Sequence, residues 1–186
     1  MKDQIRKEMK AKRRALTKEE VVRVSSAAAE VFLSSECYNS AKTIMLYMPL
    51  GNETDTGEIV KRALEDGKKV VLPVTDEKTG SITPYFYDES TALEKGGFSV
   101  TEPKNALAAP KTEIDMVLVP GIAFDRFGSR VGFGKGCYDM FLKGMNVVRV
   151  GLCYEFQLCD SIPLDEHDIK MDFIVTEKGV IECRLT

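Results

Sequence analysis

The sequence predicts an α/β protein, a three-layer sandwich around a largely parallel sheet. Two observations predict it. Short, continuous apolar runs such as "KTIMLYMP" (42–49), "KKVVLP" (68–73) and "DMVLVP" (115–120) lack the polar alternation of a half-solvated strand, so each reads as a strand covered on both faces. Segments of helical period lie before and between them, the arrangement in which helices cover a parallel sheet. A length of 186 residues suits one domain, expected over 1–186.

The elements follow in order. Ile5, Met9 and Leu16 form a weak apolar stripe on a charged N-terminal helix. Thr17 and Glu20 make a capping-box signature for the next helix, where Val21, Val24, Ala28 and Val31 recur at helical spacing with Phe32 alongside. After the strand at 42–49, Asp55 and Glu58 read as a second capping box, opening a helix with Ile59, Val60, Ala63 and Leu64 inward and Gly67 as its stop. Strands are expected at 68–73 and, beside it, at "SITPYFY" (81–87). Residues 88–112, rich in Gly, Pro and charge, read as an excursion over the surface. The chain returns to the core at 115–120, enters a glycine loop and forms a helix from about Tyr138 to Lys143. "NVVRVGLC" (146–153) and "DFIVT" (172–176) are further strands, with "GVIEC" (179–183) closing an edge.

Composition excludes several classes. Hydrophobic residues at 44% and charged residues at 30% describe a globule with a real core. A net charge of −3 argues against nucleic acid as a partner, although Lys2, Arg6, Lys7, Lys10, Lys12, Arg13 and Arg14 crowd the first helix. Five cysteines without a CxxC pair favour a reducing compartment over a disulfide framework or zinc site. No apolar run approaches the roughly 20 residues that span a bilayer, so no membrane partner is expected. The basic start leads into more charge and not into an apolar signal region. A cytoplasmic monomer is the expectation.

The stretch "GSRVGFGKGCYDMF" (128–141) concentrates the chemistry. It is not the dinucleotide GxGxxG, because Cys137 stands where the third glycine would be. It is not a Walker A loop either, since Gly128 lies one residue early and Gly136 replaces the hydroxyl residue after Lys135. Closely spaced glycines between a buried strand and a helix still let backbone N–H groups converge on a phosphate. Lys135 adds a mobile charge and Arg130 a planar fork. Asp139 suits either a helix start or a magnesium ion beside a polyphosphate. "LDEHDIKMD" (164–172) offers a second acidic group that is otherwise a solvated turn. Glu53 leaves a strand end free to meet a ligand, Met48 is core unless that end lines a pocket, and neither His167 nor Cys137 has the partners of a catalytic base or thiol nucleophile. These residues alone support a nucleotide- or phosphate-handling enzyme.

Three stretches together resemble the 5-formyltetrahydrofolate cyclo-ligase family: "KDQIR" (2–6), "YMPLGNETDT" (47–56) and "PGIAFDRFGSRVGFGKGCYDMFL" (120–142), with "GGFSVTEP" (96–103) linking them. The resemblance implies a Rossmann-like fold and ATP-dependent closure of 5-formyltetrahydrofolate, a reduced folate, to 5,10-methenyltetrahydrofolate, with ATP as co-substrate and Mg2+ as cofactor. It implies ATP contacts at Lys2, Asp3, Gln4, Ile5 and Arg6, and at Arg130, Val131, Gly132, Phe133, Gly134, Lys135, Gly136, Cys137 and Tyr138. Folate contacts are implied at Arg6, Met48, Glu53 and Phe133 through Cys137, magnesium ligands at Asp139 and Asp168, and catalytic roles for Lys135 and Arg130. Phe133 and Cys137 depart from the family's usual Arg or Tyr and first Tyr. The competing readings are a phosphosugar isomerase or acyl-transferase-like enzyme needing no ATP, and a non-catalytic nucleotide or RNA binder using the basic helix.

Overall fold

The computed structural model describes residues 1–183. Helices α1 (Lys2–Arg14), α2 (Lys18–Leu33) and α3 (Glu36–Ser40) precede β1 (Thr43–Met45), α4 (Gly57–Glu65), β2 (Lys69–Thr75) and β3 (Ile82–Tyr87). A hairpin of β4 (Ala92–Lys95) and β5 (Thr101–Lys104) leads to β6 (Met116–Val119), β7 (Ala123–Asp125) and β8 (Arg130–Val131). Then come α5 (Cys137–Leu142), β9 (Val148–Leu152), β10 (Leu158–Cys159), β11 (Phe173–Thr176) and β12 (Gly179–Glu182).

The apolar runs join into one seven-stranded sheet in the order β12-β11-β9-β6-β1-β2-β3. The five inner strands are parallel, and β12 and β3 pair antiparallel at the two edges. The fold is thus mixed α/β with a large, mostly parallel central sheet. Successive strand residues alternate between two apolar clusters, as a period of two requires. Ile44, Val70, Leu72, Met116, Leu118 and Val150 pack with Ala28 and Phe32 of α2 and Ile59 and Ala63 of α4. Met45, Val71, Val117, Val119 and Ile174 pack with Phe141 and Leu142 of α5.

Local sequence explains most boundaries. The capping box at α2 forms: the Glu20 N–H donates to Thr17 Oγ1 at 3.1 Å, and the Thr17 N–H donates to Glu20 Oε2 at 2.8 Å. The expected box at α4 does not. Asp55 Oδ1 instead accepts from the Gly57 N–H at 2.8 Å, and Glu58 takes the Ser26 hydroxyl at 2.9 Å. Thr56 holds the cap position while its hydroxyl donates to the Tyr47 carbonyl, so tertiary partners win over the local box. The strand expected at 42–49 is shorter, Thr43–Met45, with one further bond from the Leu46 N–H to the Val71 carbonyl at 2.9 Å before the chain leaves the sheet towards the site described below. Leu16 lies past the end of α1, which stops at Arg14.

The surface excursion at 88–112 is real but carries the β4–β5 hairpin. Helix α3 and a small sheet, β10-β7-β8, have no counterpart in the sequence reading. That small sheet is organised by Asp125, whose buried carboxylate accepts from the N–H groups of Phe127, Ser129 and Ile162. Phe124, fully buried, wedges between the small and large sheets. A Cβ at Gly121 or at Gly151 would collide with its ring, so both positions must be glycine for this ring to fit.

Candidate functional site

Strand geometry sets the location. The carboxyl ends of β1, β2 and β6 open on a cavity of about 530 Å³, lined there by Tyr47, Met48, Pro73, Thr75 and Pro120. This is where ligands bind in open α/β sheets. The glycine loop supplies the facing wall: Arg130, Gly132, Phe133, Lys135, Gly136, Cys137, Tyr138 and Asp139 all line the cavity. Gly134 (φ 109°) and Gly136 (φ 65°) take left-handed conformations that let the loop turn tightly before α5.

Glu53 enters from the turn after β1 and is 6% exposed. The turn is fixed by three hydrogen bonds: Tyr154 Oη to the Glu53 carbonyl, Tyr47 Oη to the Thr54 carbonyl, and the Asp55 N–H to Ser25 Oγ. Burial pushes the Glu53 carboxyl above its ordinary 4.5, opposed by the Leu50 N–H at 2.8 Å and by the Arg13 guanidinium 3.9 Å away. Burial also raises the neighbouring Tyr138 hydroxyl, with the Glu53 charge adding to it.

The cations are arranged in depth. Arg130 is buried, donates to the Pro120 carbonyl at 3.1 Å and pairs with Asp139 Oδ2 at 2.8 Å. Lys135 is exposed, with its ammonium 4.2 Å from the centre of the Phe98 ring. Helix α1 approaches from outside: Arg6 Nε donates to the Gly132 carbonyl at 2.9 Å. Lys2 binds Asp165 at 2.6 Å and also Asp168. Burial lowers the Lys2 ammonium, but its hydrogen bonds to those two carboxylates outweigh that and raise it above 10.5. For Asp168, burial works against the charge while the Asp165 N–H and Lys2 hold the carboxyl below 3.8.

The first-helix residues differ among themselves. Lys2 and Arg6 reach the loop or its acidic neighbour, whereas Asp3 pairs with Arg6, Gln4 bonds Glu8, and Ile5 packs in an apolar cluster with Met9, Ile122 and Val131. Val131 is fully buried there, below the cavity wall. Among the described residues no three His, Cys, Asp or Glu side chains cluster as a metal site. Asp139 lines the cavity and its Oδ1 accepts from the Ile169 N–H at 3.0 Å, which draws the 165–169 segment back over the start of α5. Asp139 and Asp168 are hard oxygen donors of the kind magnesium takes a few at a time. Here Arg130 and the Ile169 N–H hold Asp139, and Lys2 holds Asp168, which does not line the cavity.

Thr75, Phe98, Ser99 and Val100 also line the cavity, and Arg13 stands behind Glu53 and beneath Phe133. None of these residues stands out in the sequence as a site residue. "GGFSV" carries the only available signal, two glycines before an aromatic residue.

A sequence profile described as the 5-formyltetrahydrofolate cyclo-ligase family matches residues 1–177. The chain belongs to that family. Among curated cyclo-ligases, the 5-formyltetrahydrofolate cyclo-ligases of Mus musculus and Escherichia coli K12 are each 28% identical to it. The mouse match covers 93% of this chain and 92% of that protein; the bacterial match covers 94% and 99%. The NMR structure of Aquifex aeolicus 5,10-methenyltetrahydrofolate synthetase superposes with a TM-score of 0.87 at 34% identity, covering 100% of this chain and 94% of that one. The synthetase from Mycoplasma pneumoniae gives 0.75 at 25% identity, over 95% and 98%. As a member of the cyclo-ligase family, this chain is an enzyme. No described helix is long and apolar enough to cross a membrane.

Proposed function

We propose that this protein, acting as a single domain, closes 5-formyltetrahydrofolate to 5,10-methenyltetrahydrofolate while ATP becomes ADP and phosphate. The observation that carries the reading is the cavity itself. It joins an apolar strand-end wall and a buried carboxyl, suited to a reduced pteridine, to a glycine loop bearing Lys135 and Arg130, suited to phosphates. Apolar clusters on both sheet faces support the three-layer, Rossmann-like form of the fold.

The formyl oxygen is a poor leaving group. Transfer of the γ-phosphoryl group to it breaks the bond to ADP and makes an iminium-like formyl phosphate. The 10-nitrogen then attacks the formyl carbon, its proton is lost, and phosphate departs with the former formyl oxygen. In phosphoryl transfer a protein mostly positions groups and neutralises charge. Lys135 and Arg130 do so at the phosphates, with Lys2 and Arg6 closing over the nucleotide from α1. Residues 131–138 supply the loop's backbone N–H groups. Met48 and Glu53 hold the folate, Glu53 through the oxygen that Leu50 leaves free, and Phe133 covers the outer edge. Asp139 and Asp168 would hold magnesium, which when bound neutralises phosphate charge.

The test is the absorbance of methenyltetrahydrofolate formed by purified protein, with and without ATP and magnesium. Formation only with both is expected. Equal formation without ATP would sink the reading.

A further inference from the structure

Hairpin β4–β5 has two strands, and β4 is exposed throughout, an arrangement with little stability of its own. Its tip nevertheless adopts a strained shape. Phe98 (φ 54°) and Ser99 (φ 61°) both lie in the left-handed region, which side-chain-bearing residues enter at a cost. Strain of this kind persists where the surroundings over-determine it. Here two carboxylates do so. Glu102, 6% exposed, accepts the Thr75 N–H on Oε1 at 2.9 Å and the Gly97 N–H on Oε2 at 3.3 Å, and Glu77 accepts the Phe98 N–H. Among the described residues Glu102 has no ion pair, and its buried carboxyl oxygens are held by backbone donors alone. No side chain fits at either glycine: a Cβ at Gly96 would enter the Glu102 carboxylate, and one at Gly97 would enter the Thr75 carbonyl. The result is a tip clasped to the carboxyl end of β2, with the Phe98 ring against the Lys135 ammonium.

We propose that Glu102 is a positioning residue that acts through Phe98, whose ring face aims Lys135 into the cavity before the phosphates arrive. Lys135 stands on a flexible stem in an exposed loop and forms no ion pair among the described residues. A ring face attracts an ammonium enough to narrow its range of positions, yet more weakly than a phosphate does, so the cation is released on demand. Such pre-aiming lowers the barrier and leaves nucleotide affinity alone. The inference rests on the cyclo-ligase reading only for the identity of the group Lys135 meets.

Two readouts test it. In NMR spectra of the free protein, the Lys135 ε-methylene protons, assigned with Lys135→Arg, should be shifted upfield by the Phe98 ring. Phe98→Leu should abolish that shift. Glu102→Gln, which offers an amide where Gly97 needs an acceptor, should abolish it too. In turnover, each single variant should lose about tenfold in kcat with KM for ATP unchanged. The double variant should be no worse than Phe98→Leu, because both act on one ring. If Glu102→Gln does not fold, Glu77→Ala loosens the same tip from an exposed side chain. A Lys135 signal that stays shifted in the clasp variant, or additive losses in kcat, would overturn the proposal. A parent without ATP-dependent turnover overturns the cyclo-ligase reading, and the NMR readout still decides the clasp.

Discussion

Helices α1 and α2 are neighbours in sequence, both amphipathic and both charged, but they are attached in different ways. Helix α2 buries Ser25, Ala28, Ala29 and Phe32 against the sheet, and its charges face water. Helix α1 fully buries only Met9 and Arg13, and has a small apolar contact where Met9 and the half-buried Ile5 meet Ile122 and Val131. It is otherwise attached by polar groups: Lys2 to Asp165 and Asp168, Arg6 to the Gly132 carbonyl, Arg13 to Glu53. Burial of an apolar face is worth kilocalories and is indifferent to what binds nearby. Partly exposed contacts such as those of Lys2 and Arg6 are worth little in stability but put charges where a ligand can use them. One helix supports the fold and the other equips the site.

The sharpest break in that comparison is Phe32→Ala. Removing a fully buried ring that also packs edge-on against Tyr38 should cost about 3–5 kcal/mol in denaturant unfolding, with turnover per folded molecule unchanged. A loss below 1 kcal/mol would mean that α2 is not the supporting helix. Arg6→Ala should do the reverse. Turnover with ATP and with folate should fall together by about 100-fold, the scale of losing one preorganised charge, while the unfolding midpoint hardly moves. An unfolding loss larger than the catalytic loss would put α1 in the same class as α2.

A finer distinction comes from pH. The Asp168 carboxyl sits below its ordinary 3.8, so its contribution is present above that value and disappears as pH falls through the lowered one. Lys2 sits above 10.5, so its contribution is present below that pH and disappears as pH rises through the raised value. The thermal midpoint of Asp168→Asn should therefore trail the parent's at neutral pH and converge with it in acid. A gap that persists after the pH has fallen through that lowered value would assign the effect to packing. The smallest expected effect is Lys7→Ala. Lys7 is exposed on α1, and its steady-state rates should remain within about twofold of the parent, the scale of a screened surface charge. A loss matching that of Arg6→Ala would mean that α1 contributes only general positive charge.

The sheet was legible because continuous apolar runs report burial on both faces, and the α2 cap because its two partners lie three residues apart. What could not be read depends on distant groups. Asp125 organises the small sheet by accepting from Ile162, and strands β8 and β10 are two residues each, too short to carry a period. At α4, Ser26 and Tyr47 take the groups that a local box would have used. In the site, the loop cations lie in one compact motif (120–142) and Glu53 in another (47–56), so both could be named. Arg13, Thr75 and Phe98 become cavity or wall residues only once α1, β2 and the hairpin converge on one place.

The Phe124 wedge restricts how this protein can vary. Its ring fills the space that side chains at Gly121 and Gly151 would occupy, and those glycines stand on opposite sides of it in different parts of the chain. A methyl added at either glycine has no room while the ring is present, and a smaller residue at 124 leaves a void while both glycines remain. The shared volume can be redistributed only by simultaneous exchange, for instance Phe124→Leu with Gly151→Ala. Single-step drift is therefore blocked at three positions at once, and across related sequences residues 121, 124 and 151 should change as a set, although no two of them are adjacent in the chain.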